Sequence, residues 1–306
     1  MASKIVLPGG SGFLGKALTD HFAKLGWEVV ILSRAQNISR DGIRTVCWDG
    51  KNLGPWISEL EGATAVINLA GRSVACLDNE PNRKAILESR VDAVNAITAA
   101  VNACKNPPPV LLQASTLAIY GNEGAGVCTE KTEYGTDFLA EVTKAWEGAF
   151  FNTNYKYTPR LVALRIGFIL GNNGGALAPL SLLTKLFLGG STGSGKQYIS
   201  WTHIKDFCRI CEWAITTDSA RGYYNTSAPT PVTNKDFMAL LRKALHRPWS
   251  PAAPAWAVKI ISKTVIRVNP DLALKGRSCV PERLVNEKFT FSYTDLLTAF
   301  KNLFNS

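Results

Sequence analysis

Gly9, Gly12 and Gly15, in the segment Gly9-Gly10-Ser11-Gly12-Phe13-Leu14-Gly15, have the spacing of a backbone loop that holds an anion. Gly9 permits a tight turn out of a strand, Gly12 leaves room for a diphosphate to approach the main chain, and Gly15 lets the next helix lie close on its strand. Gly10, Ser11, Phe13 and Leu14 then present N–H groups at a helix start, where the helix dipole also favours negative charge. The segment predicts a nucleotide diphosphate site. The following apolar run ends in Ser33 and Arg34, and no acid occurs until Asp41. An acid near this point would bind the ribose hydroxyls of NAD, whereas a guanidinium fork with a neighbouring hydroxyl suits a 2′-phosphate. The pair therefore predicts NADP (NADPH) in preference to NAD.

The elements around these residues have the order that such a site requires. Leu14, Ala17, Leu18, Phe22 and Leu25 recur at helical spacing up to Gly26, and Glu28 to Arg34 reads as a second strand, completing a β-α-β unit. Ile43 to Trp48 predicts a third strand, Ala63 to Gly71 a fourth, Val110 to Ser115 a fifth and Arg160 to Ile166 a sixth. Helices are expected at about 82–103 and 138–152. The alternation predicts an α/β fold: a Rossmann, doubly wound parallel sheet with a smaller C-terminal substrate domain. The expected division is an NAD(P)-binding domain over 1–166 and a mainly substrate-binding domain over 167–306, with about 197–226 returning to the sheet.

Composition narrows the function classes. The chain has 306 residues, 46% of them hydrophobic, and a formal charge of +10. Its basic residues are dispersed, with no basic run interleaved with aromatics, so no nucleic-acid partner is expected and anionic small molecules are. No apolar stretch reaches membrane-spanning length, and Met-Ala-Ser-Lys leads straight into the first strand, so a cytoplasmic protein without a membrane partner is expected. The oligomeric state is open. The seven cysteines read as reduced core thiols, and Cys208-Arg-Ile-Cys211 lies mid-helix without a second pair that would complete a metal site. No metal is expected. Gly190 to Lys196 has P-loop spacing, but Gln197 stands where a magnesium-binding hydroxyl belongs and the preceding segment reads as helix.

The Gly9–Gly15 loop, Asn68-Leu-Ala-Gly71 and Ala114-Ser-Thr-Leu-Ala-Ile-Tyr-Gly121 resemble the extended short-chain dehydrogenase/reductase superfamily. Asp137 to Glu147, Gly193 to Asp206 and a module over about Ile260 to Phe304 resemble its atypical branch, the epimerase family proteins. The resemblance implies cofactor contacts by the glycine loop, Ser33, Arg34, Leu69, Ala70, Gly71 and Arg90, with Phe168 near the nicotinamide. Ordinary members of the superfamily carry a Tyr-x-x-x-Lys pair on the helix after the fifth strand; this chain lacks one, a loss that resembles the atypical branch. Tyr120, Tyr134, Tyr155 and Tyr157 are followed at that spacing by Gly124, Phe138, Pro159 and Leu161, and the helix itself carries Phe138 and Val142. Ser115 ends the fifth strand, where a catalytic serine would bond a substrate carbonyl; a strand-end hydroxyl serving the cofactor loop is the other reading. His203 is the second catalytic candidate, with Asp206 as a helix cap. The expected function is an NADP(H)-binding oxidoreductase or epimerase-like protein acting on a hydroxyl or carbonyl substrate, a nucleotide sugar among the candidates. The absent pair motivates the alternative of a noncatalytic NADPH-binding sensor or scaffold.

Overall fold

Short apolar runs separated by amphipathic helices form strands buried on both faces, as parallel sheets require. The computed structural model describes residues 3–34, 38–40, 43–122 and 126–304. In chain order the strands are β1 (Lys4–Pro8), β2 (Glu28–Ser33), β3 (Ile38–Arg40), β4 (Ile43–Cys47), β5 (Ala65–Asn68), β6 (Val110–Thr116), β7 (Val127–Cys128), β8 (Arg160–Ile166), β9 (Phe168–Leu170), β10 (Tyr198–Ile199), β11 (Trp201–His203), β12 (Gly222–Thr226), β13 (Val232–Thr233) and β14 (Ser278–Cys279). The helices are α1 (Phe13–Lys24), α2 (Glu80–Ala103), α3 (Phe138–Phe151), α4 (Leu177–Lys185), α5 (Ile204–Thr216), α6 (Asn234–Ala244), α7 (Ala255–Ile261), α8 (Asp271–Leu274), α9 (Glu282–Asn286) and α10 (Leu296–Phe304).

The main sheet has the order β12-β8-β6-β5-β1-β2-β4-β3. It is parallel throughout except for β3, which runs antiparallel to β4. Helices α1 and α5 cover one face through Leu18, Phe22, Phe207 and Cys211. Helices α2 and α3 cover the other through Val94, Ile97, Val101, Trp146 and Phe150. This is the doubly wound Rossmann arrangement. The chain travels outward through β2 and β4, then reverses and builds β5, β6, β8 and β12 on the opposite side of β1. The crevice of such a sheet opens where the order reverses, here beyond the ends of β1 and β5. A third cluster joins α6 and α10 through Phe237, Leu241 and Phe300, with Trp201 of β11.

Some local expectations need adjustment. The third predicted strand is β4 and stops at Cys47, and the short edge strand β3 precedes it; Ile-Ser-Arg is too short and mixed for its pattern to be read. Cys208 and Cys211 are buried in the core, and burial raises the Cys208 thiol to about 12 and Cys211 well above its ordinary value, which leaves both as packing residues. The loop with P-loop spacing follows α4, not a strand, and at Gly190 a side chain would run into the Pro251 carbonyl. Among the described residues no helix is long and apolar enough to cross a membrane, and no cluster of metal-ligating side chains occurs.

Candidate functional site

The three glycines of the loop after β1 meet different surroundings. Gly9 has φ +77, and a Cβ there would lie 2.8 Å from the Ala70 backbone, so the loops after β1 and β5 touch at this point. At Gly15 a Cβ would stand 2.2 Å from the Gly10 carbonyl oxygen, which is the close approach of helix to strand. Gly12 is different. Its backbone is extended and a Cβ would meet only the Gly9 oxygen, at 3.7 Å, so nothing among the described residues requires a glycine there. Gly12 also caps α1 without a side-chain hydrogen bond, and the first turn holds no acid. The N-terminal N–H groups of a helix have no intrahelical acceptor, so this end is left for an anion.

Phe13 anchors the loop from the far side. Its ring fills the space over Gly171, Gly174 and Gly175, where added Cβ atoms would come within 2.7 to 3.0 Å of it. The glycine-rich segment after β9 therefore makes room for an aromatic ring. Ser11 is exposed, Gly10 buried and Leu14 half-buried against the core.

The second wall comes from β5. Asn68, buried at its end, donates from its amide to Gln113 Oε1 at 2.9 Å and accepts from the Ala70 N–H at 3.0 Å. The Leu69 N–H reaches the Pro8 carbonyl. These bonds fix Leu69, Ala70 and Gly71 beside the glycine loop. Arg90 of α2 lies against Gly71, donates to the Arg72 and Ile86 carbonyls and covers the Trp146 ring at 4.9 Å. Burial lowers its pKa to about 10, and among the described residues none of its bonds goes to a carboxylate. The buried indole N–H of Trp146 has no acceptor among the described residues. A desolvated cation held by carbonyls and a ring is short of negative charge. At the tip of β2, Ser33 is buried and Arg34 exposed. An open Gly12, an uncapped helix end and two guanidiniums fit a dinucleotide phosphate chain.

Beyond β6 and β8 the structure assembles a network that sequence spacing does not reveal. Ser115, Arg165 and Asn225 are register partners on β6, β8 and β12. The Ser115 hydroxyl donates to Glu147 Oε1 at 2.5 Å, and Arg165 grips both Glu147 oxygens at 2.9 and 2.8 Å. Arg165 also donates to the hydroxyls of Tyr120 and Tyr134, each at 2.8 Å, and Tyr120 passes its proton bond to Asn225 Oδ1. Arg165 is fully buried; burial alone would lower its pKa, but the bonds and charge of Glu147 hold it above the ordinary value. On α3, Phe138 is covered by the Arg83 guanidinium, Val142 is buried and Lys144 pairs with Glu141, so no tyrosine–lysine pair forms there.

The two catalytic candidates, Ser115 and His203, are both buried. Ser115 is 4% exposed, with its proton directed at Glu147. His203 is fully buried, stacks on Tyr293 at 3.8 Å and caps α5 by accepting the Lys205 N–H at Nδ1. That cap belongs to His203 and not to Asp206, whose carboxylate accepts the Ser292 and Tyr293 N–H groups. Phe168 packs edge-on against Phe237 at 5.4 Å, within the third cluster.

Burial, with Lys205 second, lowers the His203 pKa to about 4. An unfolded histidine titrates near 6.5, so between about 6.5 and 4 the unfolded chain binds the extra proton and stability falls as pH falls. In urea unfolding from pH 7 to pH 4, the native chain should lose roughly 3 kcal/mol or less that His203→Asn, which can still cap, does not lose. Parallel pH profiles for the two proteins would contradict this.

Comparison with known proteins agrees with the geometry. Residues 5–226 match the model of the NAD dependent epimerase/dehydratase family, and residues 253–303 match a domain of unknown function, DUF1731. Epimerase family protein YfhF of Bacillus subtilis is 32% identical over 302 residues, covering 98% of this chain and 97% of that protein. The chloroplastic epimerase family protein SDR39U1 homolog of Arabidopsis thaliana is 30% identical, covering 94% of this chain and 83% of the relative. The crystal structure of human epimerase family protein SDR39U1 with NADPH aligns at a TM-score of 0.88 and 27% identity, covering 99% of each chain. UDP-N-acetylglucosamine 4-epimerase from Bacillus cereus, at 17% identity, covers 99% of this chain and 96% of its own with a TM-score of 0.76, and so shares the fold.

Proposed function

The chain belongs to the NAD dependent epimerase/dehydratase family, and on that premise we propose that it binds NADPH across the β1–β5 crevice and acts as an oxidoreductase or epimerase-like protein on a hydroxyl or carbonyl substrate, with nucleotide sugars as the candidate class. The observation that carries the cofactor reading is Gly12, which leaves an open space at the N-terminus of α1 for which the protein itself has no packing use. The NADPH in the human relative's structure supports it. In this reading the glycine loop holds the diphosphate, Ser33 and Arg34 meet the 2′-phosphate, and Leu69, Ala70 and Gly71 line the floor. Arg90 supplies positive charge beneath that floor. Bound NADPH would supply hydride chemistry. Ser115 and Glu147 would set the polarity of the wall beside β6.

A noncatalytic NADPH-binding sensor or scaffold is the second reading, favoured by three observations: Phe138 and Val142 stand on α3, the Ser115 proton is taken by Glu147, and His203 is buried in the core. Consumption of NADPH with a panel of carbonyl and nucleotide-sugar substrates separates the two. Cofactor-dependent turnover supports the enzyme, and tight NADPH binding with no turnover supports the sensor.

Arg34→Ala tests the 2′-phosphate assignment. The charged contact is exposed, so its loss should weaken NADPH by roughly tenfold, about 1.4 kcal/mol, while NADH binding changes little. Equal losses for both cofactors in a fluorescence titration would remove Arg34 from the site.

A further inference from the structure

We propose that Arg277 binds an anionic group of the substrate, a phosphate or a carboxylate, at the seam between the loop after β6 and the C-terminal module. The arginine is fixed by its surroundings. The 3-10 turn Leu117–Tyr120 follows β6 directly and ends at Gly121, whose φ is +68 and whose carbonyl accepts the Arg277 Nε–H at 2.6 Å. The Arg277 carbonyl accepts the Ser200 hydroxyl, and the Gly276 N–H donates to Asn122 Oδ1. A side chain at Gly276 would meet the Tyr198 carbonyl at 2.1 Å, so the segment passes tightly between β10 and the β6 loop. These contacts hold the guanidinium near the C-terminal ends of the strands, where ligands of doubly wound sheets lie.

Among the described residues the guanidinium has no counter-ion. It is half-buried, and burial lowers its pKa. Asp137 is the carboxylate whose charge it senses, but Asp137 caps α3 through a bond to the Ala140 N–H and makes no ion pair with Arg277. The neighbouring Lys275 is paired with Asp271. Apart from Arg90 beside the Gly71 floor, the other sheltered arginines have their partners: Arg165 has Glu147, Arg44 has Glu28 and Glu59, Arg283 has Glu287, and Arg160 has three carbonyls. In Arg277 only Nε has an acceptor among the described residues, and the planar Nη pair remains for an oxyanion. A desolvated cation held in place without its anion is a pre-formed receptor for one.

The proposal rests on the NADPH reading for the location of the substrate, so the test is made on protein saturated with NADPH, which keeps added anions out of the diphosphate site. Inorganic phosphate and malonate are titrated separately by calorimetry, and NADPH affinity is measured in parallel. Binding of either anion should fall at least roughly tenfold in Arg277→Gln and be partly restored in Arg277→Lys, with NADPH affinity unchanged in both. The anion that responds identifies the substrate group as phosphate or carboxylate. No binding of either anion to a protein that does bind NADPH overturns the Arg277 site alone, as does anion binding equally strong in Arg277→Gln. Failure of the native protein to bind NADPH overturns the cofactor reading instead. Melting temperatures of both variants close to the native value show that lost binding is not lost fold.

Discussion

Gly12→Val abolishes NADPH binding, with a loss of roughly hundredfold or more, about 2.7 kcal/mol or more, and leaves the fold intact. The two halves of this expectation come from one measurement of space. The Gly12 backbone has φ −78 and ψ −178, a conformation open to valine, and among the described residues the nearest atom to an added Cβ is the Gly9 oxygen at 3.7 Å. A folded, empty protein therefore accepts the substitution. The diphosphate does not, because it must approach the N–H groups of the loop through the same volume. Gly15 is the contrast: a side chain there would stand 2.2 Å from the Gly10 oxygen, so its requirement is structural. Circular dichroism and a cofactor titration on Gly12→Val check the separation. A variant that unfolds, or one that binds NADPH like the native chain, would show that the open space is not the phosphate cradle.

Glu147→Ala destabilises the protein by about 3 to 5 kcal/mol, a large fraction of the 5 to 15 kcal/mol by which a typical domain is stable. The removed carboxylate is the partner of a fully buried guanidinium, bound through two oxygens, and it also accepts the Ser115 hydroxyl. With it gone, the contacts of Arg165 to the neutral hydroxyls of Tyr120 and Tyr134 and to the ring of Tyr223 at 4.3 Å do not replace a negative charge. Glu147→Gln, which keeps the volume and one acceptor, should cost less. Urea unfolding gives both values, and a loss below about 1 kcal/mol for the alanine variant would mean that water reaches Arg165 and the pair is not closed.

The sheet was legible because each of its main strands is a separate apolar run bounded by helical spacing. The run Arg160 to Ile166 has the bounds of β8, while the run Ala63 to Gly71 contracts to β5 over Ala65–Asn68 because Leu69 to Gly71 turn into the floor loop. The glycine loop was legible too, since turn, open face and close packing leave glycines at fixed intervals. Contacts between residues distant in sequence were not. Ser115 and Glu147 are 32 positions apart, and Arg165 and Tyr120 are 45 apart. One local sign did exist: a charge within the apolar run Leu-Val-Ala-Leu-Arg165-Ile signals a buried ion pair, because a parallel strand has no solvent face to put it on. For His203 no sign existed, since a capping histidine and a catalytic one look alike until the burial of the ring is known. Arg277 was hidden for a related reason: an arginine in a loop is ordinary, and its place at the seam without a counter-ion among the described residues shows only in the folded chain.

The most direct test of the account is a pair of titrations of the native protein, one with NADPH and one with NADH, at the same ionic strength. The account predicts saturable binding of both, with NADPH tighter by roughly tenfold, as one charged contact to the 2′-phosphate requires. Absence of binding, or affinity for NADH equal to or above that for NADPH, would contradict it.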